Sequence, residues 1–171
     1  MAQLLVRHGS YTRLAFADEL KAAVRRLNPL IASCCCYDDY RLAEALEDGG
    51  WEAAKEEPEV RRLLQEYGQA VREMDPEFWV RPVQARVRQG TEWNLPCVVA
   101  DVRYPNEVDA LKAEGAVIVR IDRPGAGAGA HAAHPSETSL DHLTPEHVIR
   151  NDGSLDQLRR QVCSLLTQLG G

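Results

Sequence analysis

The stretch LPCVVADVRYPNEVDALKAEGAVIVRI, residues 95–121, decides the fold. Leu95-Pro96-Cys97-Val98-Val99-Ala100 is a short apolar run without alternation, the pattern of a parallel strand buried on both faces. Asp101 ends the run. Asn106 to Glu114 carries a helical pattern, and Gly115 is placed to cap it. Ala116 to Ile121 then repeats the buried-strand pattern. Strand, helix and strand in one short stretch make a βαβ unit, because parallel strands need a crossover and a helix is the usual one.

The same reading extends in both directions. Downstream, Gly125 to Ala133 is a Gly/Ala-rich loop, His147-Val148-Ile149 a short strand, Asn151-Asp152-Gly153 a turn, and Leu155 to Leu169 an amphipathic helix. Upstream, Met1 to Val6 reads as helix and Arg13 to Ala17 as a short strand. Asp18 is expected to cap a helix over Glu19–Leu27, which Asn28-Pro29 stops. Residues 30–60 read as irregular, with short helical pieces near Tyr40–Glu47 and Trp51–Lys55. Pro58 can open a long helix over Glu59–Glu73; Asp75-Pro76 breaks it, and another helix follows from Glu77 to about Gln89. The expected fold is α/β, a mostly parallel sheet flanked by helices.

Composition narrows the function classes. With 171 residues, 44% apolar and 27% charged, the chain matches an ordinary single globular domain. No window approaches the roughly 18 consecutive apolar residues of a membrane span, and the N-terminus lacks a signal-peptide pattern. A net charge of −6 lowers the expectation of a nucleic-acid polymer as partner. The five cysteines are odd in number, three are consecutive (Cys34 to Cys36), and none forms a C-x-x-C pair. That argues against a disulfide framework and a standard zinc site, and fits a reducing, cytoplasmic setting. Cys97 and Cys163 read as core packing, as do Trp51, Trp79 and Trp93. His131 and His134 lack acidic or cysteine partners at ligand spacing.

In open parallel sheets ligands bind at the carboxyl ends of strands. Four polar clusters are expected there: Asp18, Asp101 with Arg103, Asp122-Arg123, and Asn151-Asp152. An Asp closing an apolar strand can hold Mg²⁺ through water beside nucleotide phosphates, and it can equally serve as a turn residue. Arg103 adds a guanidinium fork suited to phosphate, or to a surface ion pair. No stretch reads G-x-x-x-x-G-K-[ST], the phosphate-cradling loop.

Seven stretches in order carry a family resemblance: RLAFADELK (13–21), RRLLQEYG (61–68), DPEFWV (75–80), VVADVRYPNE (98–107), VRIDRPG (119–125), HPSE (134–137) and VIRNDGSLDQL (148–158). Together the chain resembles the deoxynucleoside monophosphate kinases of bacteriophages and prophages, within the P-loop nucleotide kinase superfamily. The resemblance implies a single kinase-like domain over 1–171, with a helical acceptor-binding insertion over 28–92 and a lid loop over 123–137. It implies transfer of the γ-phosphoryl group of ATP, with Mg²⁺, to a deoxynucleoside monophosphate. Asp18 and Lys21 would lie at the monophosphate site, with Arg61, Gln65 and Arg72 on the insertion. Arg72 would grip the acceptor phosphate and Gln65 read the base edge. Asp101 and Arg103 would serve metal and phosphates. Arg123, His134 and Glu137 would belong to the lid, and Asn151, Asp152 and Gly153 would lie near the adenine.

Two departures stand out. Where the family continues Gly-Thr-Glu, this chain has Gly68-Gln69-Ala70. The family also opens with a strand and the phosphate loop before its first helix, whereas Met1 to Val6 resembles the middle of that helix. The expectation is that roughly 15–20 residues are missing, that Met1 marks an internal GTG codon taken as a start, and that the 171 residues alone have little kinase activity. In-frame upstream DNA without a glycine-rich loop ending in Gly-Lys would refute this. A non-catalytic descendant that binds a nucleotide or a protein partner is the alternative reading. A generic structural domain would leave the ordered motifs unexplained. Base preference and self-association are open at this level.

Overall fold

The computed structural model describes residues 1–32, 39–47, 49–125 and 138–169. The chain forms two compact units, one from Met1–Ala15 with Val83–Gly171 and the other from Phe16–Pro82. The second unit thus takes in the helix at 16–27 as well as most of the expected insertion.

In the first unit, α1 (Ala2–Gly9) leads into β1 (Thr12–Leu14), which pairs in parallel with β4 (Cys97–Val99) at the register Arg13↔Val98. β5 (Val119–Asp122) pairs in parallel with β6 (His147–Arg150) at the register Ile121↔Ile149. α6 (Val80–Glu92) belongs to it from Val83 onward, and α7 (Pro105–Ala113) and α8 (Leu155–Leu169) complete it. α1 packs on β1, β4 and α8, and α8 packs on β6. Leu5, Ile149, Leu158, Val162 and Leu165 form a buried cluster joined by Val98 of β4 and Val119 of β5. One helix layer therefore serves both strand pairs.

α7 connects β4 to β5, as expected, yet the two strands are not hydrogen-bonded neighbours; each pairs with another strand. Neither is buried on both faces as the apolar runs suggested: β4 is half-buried, and Ile121 of β5 is 43% exposed. The reason is that each strand has one ladder edge without a strand beside it among the described residues. β5 also starts later than expected. The Ala116 N–H is used in the turn that ends α7, donating to Leu111 O at 3.1 Å, so the ladder begins only at Val119.

Cys163 is exposed, a correction to its reading as a core residue: on α8 the buried positions are Leu158, Val162 and Leu165, and Cys163 falls off that stripe. Trp93 is also corrected. It is 64% exposed, just past the end of α6 where the chain turns through Asn94 at φ 55°. Gly90 is required by close approach, since a Cβ there would lie 2.6 Å from Cys97 Sγ and 2.9 Å from Leu95 O.

The second unit holds α2 (Phe16–Leu27), β2 (Leu30–Ile31), β3 (Tyr40–Arg41), α3 (Leu42–Glu47), α4 (Gly50–Ala54) and α5 (Pro58–Met74). α2 begins earlier than expected, so Asp18 sits inside its first turn instead of capping it; Phe16, 5% exposed, is held in the apolar interior. The antiparallel pair β2–β3 replaces part of the expected irregular stretch. Asn28 helps close it: its Oδ1 accepts the Ala43 N–H at 2.8 Å and its carbonyl accepts Arg41 Nη1 at 3.1 Å. Val24, Ile31, Leu42, Ala54 and Val60 form the core. Pro58 opens α5 at the position where its missing N–H costs nothing, and Asp75 ends it in an extended conformation. Trp79 is buried, and its indole N–H donates to Gly68 O at 3.2 Å.

Candidate functional site

In the second unit, α2 presents Asp18, Lys21, Ala22 and Arg25 at i, i+3, i+4 and i+7, one face of a helix. These four line an open cleft of about 530 Å³ with Arg26 and with Trp51 of α4. Lys21 Nζ stands 5.9 Å from the centroid of the Trp51 ring, within cation–π range. Three cations thus face one carboxylate beside a half-buried aromatic face, an arrangement that suits an anionic ligand with a planar group. Arg25 and Arg26 also complement the helix dipole, as Asp18 and Glu19 do at the other end. Glu52, next to Trp51, is held below the ordinary carboxylate range by its hydrogen bond from Lys55, and more weakly by the charge of Lys21.

Sequence reasoning placed Asp18 and Lys21 here and missed Arg25, Arg26 and Trp51. The helical spacing from Asp18 to Arg25 was the available signal. Trp51 does pack against the core of this unit, as expected, and it lines the cleft as well. Arg61, Gln65 and Arg72 lie on α5, but none of them lines the cleft. Arg61 and Gln65 are exposed and Arg72 is half-buried. The Arg61 Nε–H is turned to the Lys55 carbonyl. Neighbouring Arg62 is held by Glu59 and Glu66.

In the first unit, the other expected residues stand at strand ends. Asp101 and Arg103 follow β4; Asp101 is half-buried and Arg103 exposed. The turn they occupy is fixed by Glu107, which is 1% exposed. Its Oε2 accepts the N–H of Arg103 at 2.7 Å and of Tyr104 at 3.2 Å. Glu107 sits at the third position of α7, where a carboxylate can reach back to the amides of the helix entry. It was missed because an acidic residue on a helix ordinarily reads as solvated, although the pattern Pro105-Asn106-Glu107 marks a helix start.

Arg123 follows β5 and Asn151-Asp152 follow β6, so they share the carboxyl end of one parallel pair. The Asn151 N–H donates to Asp122 O at 2.7 Å, and the Asp122 carboxylate is taken by Arg120 Nε at 3.0 Å. Gly153 precedes a reciprocal cap: Ser154 N–H donates to Gln157 Oε1 at 2.7 Å, and Gln157 N–H to Ser154 Oγ at 3.3 Å. A Cβ on Gly153 would collide with that Gln157 amide. His134 and Glu137, with most of the expected lid, His131 and Cys34 to Cys36, lie outside the described residues. Among the described residues no cluster of three or more His, Cys, Asp or Glu could hold a metal ion, and no helix is long and apolar enough to cross a membrane.

Residues 34–162 match the family model for deoxynucleotide monophosphate kinase. The chain is 31% identical over 116 residues to the deoxynucleotide monophosphate kinase of Enterobacteria phage T4, covering 64% of this chain and 46% of that protein. It is 32% identical over 114 residues to the uncharacterized protein ORF77 of Ictalurid herpesvirus 1 (strain Auburn), covering 65% of this chain and 50% of that protein. The chain thus spans half or less of the length of these relatives. No solved structure gives a significant match.

Proposed function

The chain belongs to the deoxynucleotide monophosphate kinase family, and from that premise we propose that it serves transfer of the γ-phosphoryl group of ATP to a deoxynucleoside monophosphate. The observation that carries this reading is the cleft on α2. Lys21, Arg25 and Arg26 supply charge for a monophosphate dianion, and the Trp51 indole supplies a stacking face for a base. In the reaction an oxygen of the acceptor phosphate attacks the γ-phosphorus. The bond from that phosphorus to the β–γ bridging oxygen breaks, and ADP departs. Such a reaction asks the protein chiefly for positioning and charge neutralisation.

Asp101 suits Mg²⁺, which binds through one or two carboxylates, keeps several waters and shares substrate phosphates. When bound, the ion would neutralise charge developing on the phosphate oxygens. In this reading Arg103 and Arg123 hold phosphates through their guanidinium forks, since both are exposed at strand ends. Glu107 holds the turn that presents Asp101. Asn151, Asp152 and Gly153 would flank the adenine, and Arg61, Gln65 and Arg72 would reach the acceptor from α5.

The test begins with binding. Tryptophan fluorescence is titrated with dAMP, dGMP, dCMP and dTMP. The expected result is saturable quenching by at least one of them, absent in Trp51→Phe. Deoxynucleoside monophosphate-dependent ADP formation from ATP and Mg²⁺ follows. Failure of all four to bind at millimolar concentration refutes the reading. Binding without ADP formation transfers the case to the non-catalytic alternative.

A further inference from the structure

α2 sorts charge along its cleft. Asp18 stands at the N-terminal end of the helix and Arg25 and Arg26 at the C-terminal end. With a rise of about 1.5 Å per residue, Lys21 lies about 4.5 Å and Arg25 about 10 Å along the axis from Asp18. The Trp51 ring meets Lys21, its centroid 5.9 Å from Nζ, so the aromatic face stands at the middle of this row. Among the described residues Asp18 is the one carboxylate that lines the cleft. Glu52, beside Trp51, is 86% exposed and bonded to Lys55 at 2.7 Å.

A nucleoside monophosphate has one charged end and one planar end, so the row admits it in one direction. The phosphate dianion goes to Arg25 and Arg26. The helix dipole opposes an anion there, but it amounts to roughly half a charge against two full cations. The reverse direction sets the dianion against Asp18, where like charges repel. The base then stacks on Trp51 with its polar edge toward Asp18.

A carboxylate carries acceptors only, two oxygens side by side. Guanine meets it with two adjacent donors, N1–H and an N2–H, in a paired contact of the kind a guanidinium makes. Adenine and cytosine offer one amino donor beside a ring-nitrogen acceptor. Thymine offers N3–H between two carbonyls, so a carboxylate oxygen faces a carbonyl oxygen. Asp18 is half-buried, where such a mismatch costs more than in open water. We propose that Asp18 is the base-reading residue of the acceptor site and that the preferred acceptor is the guanine deoxynucleotide, dGMP. The proposal rests on the nucleotide reading of the cleft, and it moves Asp18 from the phosphate, where the resemblance put it, to the base.

The test is calorimetric titration of the full chain with dGMP, dAMP, dCMP, dTMP and dIMP, the last differing from dGMP only in lacking the N2 amino group. dGMP should bind about 5- to 150-fold more tightly than dAMP, dCMP or dTMP, the worth of one paired contact to a base edge. It should bind at least about fivefold more tightly than dIMP, the worth of one hydrogen bond to a charged group. In Asp18→Asn, whose amide presents one donor and one acceptor, dGMP and dIMP should bind alike. Equal or tighter binding of any other base, dIMP included, would overturn the proposal and leave the nucleotide reading standing. So would an unchanged dGMP-to-dIMP ratio in Asp18→Asn, which would return Asp18 to the phosphate side. The dGMP and dIMP comparison uses the unaltered chain, so it decides the matter even if the variant does not fold. Failure of all five to bind overturns the proposal together with the reading it rests on.

Discussion

Replacing Glu107 probes the turn that carries Asp101 and Arg103. The side chain is 1% exposed and its Oε2 accepts two backbone N–H groups, from Arg103 at 2.7 Å and Tyr104 at 3.2 Å. Glu107→Ala leaves both amides without this acceptor. A buried polar group that loses its partner costs about 1–3 kcal/mol, so two partly relaxing amides give about 2–4 kcal/mol. That is a shift of roughly 30- to 700-fold in the unfolding equilibrium. Glu107→Gln keeps the shape and one acceptor oxygen but loses the charge. Charge-assisted bonds are about twice as strong as neutral ones, so its cost should be about half, 1–2 kcal/mol. Urea unfolding followed by circular dichroism gives the energies, and amide exchange at Arg103 and Tyr104 locates them. The reasoning is refuted if Gln and Ala cost the same, or if either variant leaves exchange at both amides unchanged.

Other outcomes follow from the same geometry. Lys21→Ala should weaken deoxynucleoside monophosphate binding by about 10- to 100-fold, the worth of one charged hydrogen bond to phosphate, as read by fluorescence titration. Ile31→Ala, at a fully buried position in the second unit, should cost about 2–5 kcal/mol in urea unfolding. Arg88 holds the Glu114 carboxyl below its ordinary value near 4.5, first through a hydrogen bond at 2.6 Å and then through its charge. A carboxylate with a lowered folded pKa stabilises the fold above the unfolded value, and that contribution fades as pH falls through the folded one. Glu114→Gln should therefore be less stable than the parent at neutral pH, with the difference shrinking below about pH 4.5. Ser154→Ala, which removes the acceptor for the Gln157 N–H, should lower stability by about 1 kcal/mol.

The elements were legible where local patterns decide them. Leu155–Leu169 was read to the residue, because its apolar stripe runs uninterrupted from a capping Ser154. The helix after Pro58 and the strand before Asp101 were read nearly as well, since proline and strand-end polar residues mark their ends locally. The α2 cleft was half legible: Asp18 and Lys21 came from a family motif, while Arg25 and Arg26 sat in plain helical register with them. The short pair β2–β3 was not legible, because two-residue strands carry no period and depend on Asn28 closing the hairpin.

By itself the sequence determined the α/β class, the family, and the polar residues expected at strand ends. Those follow from periodicity, turn chemistry and ordered motifs, which are local along the chain. Tertiary structure alone decided which strands pair, that β4 and β5 stand apart, and that Trp51 meets Lys21 across two helices. It also decided that a glutamate one turn into α7 is buried to hold the Asp101 turn. Such facts rest on contacts between distant residues, and an apolar run reads the same whether its second edge is paired or open.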